Sequence, residues 1–421
     1  MHHPHRVPAL FGVAFVCLVF VLVCSPAARA ANAPKTLHAF LSGNNNDGSS
    51  LYSSLTLDAA GNLYGTSVEG GTHNAGVVYE LSPGSGGKWK ETILYNFKGG
   101  RLDGSGSHAT PVFDAAGNIY GTTPNGGLSS KQCGQGCGVI FELTPPTDGG
   151  AWTETILYKF TGGADGGVAY AGVIRDGAGN LYGATTTGGS KGEGTVYELS
   201  PATGGGWQET VLYNFGGPPD GAEPYSTPAF DKAGNLYGTT YEGGTNNQGT
   251  VYQLAQASGV WSEQILCSFK GGNDGDEPFA GVVLDAAGNV YGTTAEGGTA
   301  KVGTAFELSA ANGWKKTILH QFLGLNAGDG ANPNGLIFDA EGNLYGTSVG
   351  GGKFNPGTIF KITHSSGAWK ETVLYSFTGG NDGAYPSAGL NIDGAGHLYG
   401  TTLWGGPAGD TVGGVAFEFT P

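Results

Sequence analysis

The sequence predicts an all-β fold, a seven-bladed β-propeller with four antiparallel strands per blade. Three observations predict it. A nine-residue motif, DAAGNLYGT at residues 58–66, recurs with its first residue at Asp114, Asp176, Asp231, Asp285, Asp339 and Asp393, the starts lying 54 to 62 residues apart. Each interval holds four short strand-like runs separated by turn residues, the content of one blade. The last interval lacks its fourth run, and the start of the chain supplies a matching one, so the N-terminal strand is expected to complete the C-terminal blade and close the ring.

Within each interval the elements follow in a fixed order. Strand a precedes the motif, as in GVVL at residues 281–284. The motif then forms a tight hairpin. Its Asp accepts a hydrogen bond from a backbone N–H just ahead, and its Gly takes the positive φ of a type I turn with a following bulge. Strand b is the NLYGTT run, rich in β-formers. Strand c is GVVYEL at residues 76–81 and its six counterparts; strand d is WKETILYNF at residues 89–97 and its counterparts. The closing strand is TLHAF at residues 36–40, similar to TILHQF at residues 317–322. Antiparallel order places the a–b hairpins and c–d turns on one face and the b–c and d–a loops on the other, upper face. Six tryptophans, from Trp89 to Trp369, share one position ahead of strand d; equivalent placement in six blades predicts packing, not a ligand box. The strand b tyrosines, such as Tyr64 and Tyr237, are expected between blades with their hydroxyls bonded.

The first thirty residues stand apart. His2, His3, His5 and Arg6 precede an apolar run ending near Cys24, and Ala28-Arg29-Ala30 offers small residues for cleavage. This predicts a signal peptide over residues 1–30, a single propeller domain over residues 31–421, and a secreted protein, periplasmic or extracellular. No later run is apolar enough to span a bilayer. The net charge of −15 argues against nucleic acid and anionic membranes as partners. Cys133 and Cys137, in CGQGC, are expected as a disulfide in an oxidising compartment, with Cys267 left as a buried thiol. A monomer without cofactor is expected.

Symmetry serves the scaffold, so departures from the repeat on the upper face are the candidate functional residues. Six positions before the motif Asp stand Tyr52, His108, Tyr170, Tyr225 and Phe279, with Pro333 and Ser387 in the other two blades. This aromatic arc suits either a flat ligand such as a sugar or a plug at the pore mouth. Ahead of the Gly-Gly of each b–c loop stand Glu69, Asn125, Thr187, Glu242, Glu296, Gly350 and Trp404. Trp404 is the first choice there for a ligand contact. His108, Glu242 and Glu296 are the candidate acid/base groups if the protein is an enzyme. Each d–a loop carries Asp-Gly; these read first as turns, and Asp47, Asp274 and Asp276 as candidate calcium ligands. No nucleotide loop or HExxH is present.

The unit D-x-x-G-N-L-Y-G-T-T…G-T-V-Y-E-L…L-Y-x-F resembles the GloVer tandem repeat of bacterial exported proteins, over residues 36–421. The resemblance implies an exported propeller-like protein with no established activity and carries no catalytic residues over. Many such proteins bear a C-terminal anchoring segment; none follows Phe419 here, so anchoring by that route is not expected. Two functions follow as expectations. The first is a non-enzymatic binding scaffold for carbohydrate or protein at the cell envelope, using the upper face. The alternative is a lyase or glycan-active hydrolase at the channel mouth.

Overall fold

The structure, a computed structural model, describes residues 33–41, 46–406 and 413–421. It is a seven-bladed propeller. The first blade comprises Thr56–Leu57, Leu63–Thr66, Val77–Pro83 and Trp89–Asn96 as strands a to d. The next five repeat that order. In the seventh, Asn391–Ile392, Leu398–Thr401 and Val415–Phe419 are joined on the outside by Lys35–Ala39. Lys35 faces Glu418 and Ala39 faces Val415 in this closing ladder. The expected exchange of the terminal strand is therefore present. The predicted signal peptide lies outside the described residues.

The motif hairpin forms as its chemistry requires. Asp58 Oδ1 accepts the N–H of Ala60 and of Asn62 at 2.8 Å, and Oδ2 accepts the Asn62 amide at 2.9 Å and the Tyr64 hydroxyl at 3.2 Å. Gly61 takes φ +86°. Burial pushes the Asp58 carboxyl up, but these four donors outweigh it and hold it below the usual carboxylate range. His397 replaces the Asn in the last blade and reaches Asp393 through Nδ1 at 2.8 Å.

Packing explains the rest of the repeat. The Gly of strand b leaves room for the aromatic ring of strand c opposite. Gly65 pairs with Tyr79 and Gly121 with Phe141. A Cβ at Gly65 would stand 2.4 Å from the Tyr79 hydroxyl. The Phe that ends each strand d then packs on the strand c ring of the following blade. Phe97 meets Phe141 at 5.1 Å, Phe215 meets Tyr252 at 5.2 Å, and across the closure Phe40 meets Tyr79 at 4.8 Å. All these rings are buried. Tryptophans also bridge blades: Trp314 packs on Tyr237, and Trp369 on Tyr291.

Strand a is shorter than the sequence suggests, two residues in most blades. The residues before it turn toward the neighbouring blade instead. Thr66 donates to the Ala109 carbonyl at 2.9 Å, Thr239 to Ala280 at 3.0 Å, and Thr401 to Ser53 at 3.0 Å, the last across the closure. Near the axis the blades converge, so a side chain of one blade satisfies the backbone of the next.

Candidate functional site

On the upper face the two loop sets pair with each other. Gly48–Ser49 pairs with Glu69–Gly70, Gly104–Ser105 with Asn125–Gly126, and Gly221–Ala222 with Glu242–Gly243. Single bridges join Asp276 to Glu296 and Ala384 to Trp404. The Asp-Gly aspartates anchor these loops. Asp220, for example, accepts the N–H of Gly216 at 2.8 Å and the Tyr213 hydroxyl at 3.0 Å.

Two residues before each ring of the arc, the chain passes through the left-handed region even where no glycine stands: Ser50 at φ +58°, Val168 at +59°, Glu223 at +56° and Glu277 at +53°. Such a conformation persists only when its surroundings impose it. Here the backbone of that residue bridges two blades. The Glu223 N–H donates to the Glu193 carbonyl at 2.9 Å, and its own carbonyl accepts from the Tyr241 N–H at 3.0 Å. The turn directs the following side chains to the channel mouth.

Tyr52, His108, Tyr170, Tyr225 and Phe279 line one cavity of about 460 Å³ there, together with Asn332, Asn334 and Ser387. The rings contact one another in blade order. Centroid separations are 4.8 Å for Tyr52–His108, 5.0 Å for His108–Tyr170, 5.4 Å for Tyr170–Tyr225 and 5.1 Å for the stacked Tyr225–Phe279 pair. The arc is thus continuous over five blades. It breaks at the sixth because a residue is missing. Pro333 is level with Pro278 and Pro386: a Cβ on Gly303, Gly249 or Gly357 would meet the Cδ of these prolines at 2.5 to 2.7 Å. The residue that would carry a ring after Pro333 is absent, and Asn334 follows directly, its amide held by Thr347 and the Pro386 carbonyl. Counting back from the motif Asp puts Pro333 in the ring position; the loop geometry moves it one place earlier.

His108 is packed between two rings, and burial pushes its imidazole down to about 4, so it is neutral at neutral pH. Among the described residues no carboxylate lines the cavity. Glu242 and Glu296 are exposed on the rim. Their effect is felt through neighbours. Burial first, then the Glu223 carboxylate, pushes the Tyr225 phenol up to about 12, with Glu242 a further cause. Burial and Glu242 likewise raise Glu223. Trp404 stands on the same face, half-exposed against Tyr385 at 5.0 Å, outside the residues that line the cavity. Asp274 is paired with Lys316 at 2.8 Å. Asp276 lies against Glu296, and burial followed by the charges of Glu277 and Glu296 raises its carboxyl. Asp47 belongs to another loop, at the ring closure.

One residue beside the site is not among those singled out from the repeat. Tyr241 donates to Glu277 at 2.6 Å and packs edge-on to Tyr225 at 5.5 Å. It stands one place before Glu242, where the other b–c loops carry Val68, Pro124, Thr186, Ala295, Val349 and Leu403. That lone aromatic is a legible break in the repeat.

Cys133 and Cys137 form the expected disulfide. It lies in the b–c loop of the second blade, the blade with the longest repeat, and the Cys137 carbonyl accepts the Val168 N–H at 2.8 Å. Cys267 is a half-buried free thiol.

The Gloeobacter/Verrucomicrobia repeat, as a family pattern, matches residues 28–217, 127–328 and 312–421. No curated protein matches significantly. Among solved structures, a chain of the mitotic checkpoint complex is 12% identical with a TM-score of 0.53, covering 99% of each chain. A protein of unknown function from Dyadobacter fermentans is 13% identical with a TM-score of 0.43, covering 92% of this chain and all of its own. Trypanosoma rangeli sialidase is 12% identical with a TM-score of 0.40, covering 80% of this chain and 57% of its own. Likeness at this level is one of fold.

Proposed function

Since the chain belongs to the Gloeobacter/Verrucomicrobia repeat family, whose repeat here builds a symmetric scaffold, we propose that it acts as a binding protein through the asymmetric feature of its upper face. The observation that carries this reading is the unbroken arc of five rings around one cavity of about 460 Å³ with no carboxylate among the described residues of its lining. Aromatic faces of this kind stack on flat apolar surfaces, including the C–H face of a sugar. The rim carboxylates Glu223, Glu242 and Glu277 repel anions, so the favoured ligand is a neutral or cationic molecule of about one or two rings. The disulfide supports a place of action outside the cytoplasm, and we propose export through the predicted leader with cleavage after Ala30.

The enzymatic alternative would need His108 to work with Glu242 or Glu296. His108 meets rings on both sides and no carboxylate among the described residues, an arrangement that supports stacking better than proton transfer. The test is a screen of neutral, cationic and anionic glycans and small metabolites against the mature protein, repeated with Tyr225→Ala and Phe279→Ala. Binding of a neutral or cationic ligand, weakened at least about tenfold by loss of either ring (about 1.4 kcal/mol), is the expected result. Unchanged affinity in both variants would remove the site.

A further inference from the structure

At six of the seven junctions between blades three side chains meet: one from the outer strand of the first blade, the aspartate of the following Asp-Gly loop, and one from the outer strand of the next blade. At the junction before the closing one, Pro34 stands in the third place and only Tyr375 and Asp382 meet. In six junctions a donor closes directly on the aspartate. Tyr95 reaches Asp103 at 3.0 Å, Tyr158 reaches Asp165 at 3.1 Å, Tyr213 reaches Asp220 at 3.0 Å and Tyr375 reaches Asp382 at 2.9 Å. Lys316 closes on Asp274 at 2.8 Å, and His320 on Asp329 at 2.9 Å.

The seventh junction, where the ring closes, is built from His38, Asp47 and Glu91, and these three make no such bond. His38 Nε2 stands 3.7 Å from an oxygen of Asp47 and 3.7 Å from an oxygen of Glu91. That is beyond hydrogen-bond distance to either. Among the described residues, His38 Nε2 and Glu91 Oε1 are buried atoms without a partner. So is the hydroxyl of Tyr79, a fully buried side chain on which the Glu91 and Asp47 carboxylates both act. Unmatched buried polar atoms are costly. Glu154, Glu209, Glu263 and Glu371 leave the equivalent oxygen unmatched at other junctions, and Tyr197 and Tyr252 the equivalent hydroxyl, so the unmatched imidazole nitrogen of His38 is what sets this junction apart.

We propose that this ring-closing junction is a binding site for a divalent transition-metal cation, with Zn²⁺ the best match, held by His38 Nε2 and the carboxylates of Asp47 and Glu91. The spacing fits. Two donors on one tetrahedral ion at about 2.1 Å stand about 3.4 Å apart, so the observed separations close with a small shift. The donor set fits as well, since imidazole with carboxylates suits zinc better than calcium, which takes oxygen alone. Asp47 is already held in place, because its two oxygens accept the N–H of Leu41 at 2.8 Å and of Gly48 at 2.7 Å, leaving a lone pair on each. The other histidine junction differs, because His320 is already bonded to Asp329. An ion at His38 would tie the N-terminal strand to the first blade and so clamp the ring at the point where the chain closes on itself.

The experiment uses tag-free mature protein stripped with chelator and returned to Zn²⁺ alone, read by metal content, calorimetric titration and thermal unfolding. Two variants decide it. His38→Tyr installs the residue that the first junction after it uses, so it keeps the fold while removing the imidazole; His320→Ala removes the other candidate histidine. Uptake of one equivalent with a rise in Tm, lost in His38→Tyr and kept in His320→Ala, is expected. Absence of stoichiometric uptake, uptake that persists in His38→Tyr, or uptake lost only in His320→Ala overturns the proposal.

Discussion

If the N-terminal strand is a full member of the seventh blade, Phe40→Ala must damage the protein as much as the same change inside the chain. Phe40 is 2% exposed and its ring meets Tyr79 at 4.8 Å, while the interior counterpart Phe215 is fully buried and meets Tyr252 at 5.2 Å. Truncating a buried Phe costs about 3–5 kcal/mol through lost transfer energy and the cavity left behind. The ring pairing adds about 0.5–1.5 kcal/mol beyond the area buried. Phe40 also contacts His38 edge-on at 4.6 Å, so nothing in its surroundings makes its loss cheaper. Urea unfolding of the mature chain, followed by tryptophan fluorescence and by far-UV dichroism, should show Phe40→Ala and Phe215→Ala destabilised by amounts within about 1 kcal/mol of each other, inside the range for this class of change. A loss below about 1 kcal/mol for Phe40→Ala, with the full loss for Phe215→Ala, would show that the closing strand contributes little. Sevenfold closure would then fail on energetic grounds.

Two further outcomes follow from the same geometry. Cys133→Ser, or reduction of the disulfide, opens a five-residue loop and should cost about 2 kcal/mol, measured by urea unfolding with and without reductant; no difference would mean that the bond is not formed in the folded protein. The pH dependence should be inverted relative to a protein held by surface ion pairs. Burial, then the nearby aspartate charge, pushes Glu209 and Glu263 up to about 7, while burial and Asp103 push Glu154 up to about 8. A raised carboxylate keeps its proton in the folded state after the unfolded chain has released it. The unfolded chain therefore binds fewer protons in that window, and stability falls as pH rises from about 4.5 toward 8. The hairpin aspartates such as Asp58 and Asp231, held low, act oppositely and lose their contribution only on acidification below about pH 4. Urea midpoints at pH 5 and pH 8 should show the protein weaker at pH 8, and the Glu209→Gln, Glu263→Gln double variant should narrow that gap; an equal or wider gap contradicts the assignment.

The linear order of residues determined the architecture because each blade is a local unit. Turn, alternation and the Gly-opposite-aromatic pairing all act within one repeat, so seven copies of D-x-x-G-x-x-Y-G and the displaced strand at residues 36–40 were enough to count and close the ring. The same periodicity singled out Tyr52, His108, Tyr170, Tyr225 and Phe279 as a set. What it could not decide was which departures from the repeat meet in space. Trp404 breaks the repeat as plainly as Tyr225, yet it packs on Tyr385 away from the cavity lining. Pro333 holds the counted position, but a one-residue deletion takes the ring out of its blade. His38 reads in sequence as one more member of strand d; only the closed ring sets it opposite Asp47 and Glu91. Convergence at the axis and at the closing junction joins residues from different blades, and those distances follow from the curvature of the whole ring, which no single repeat encodes.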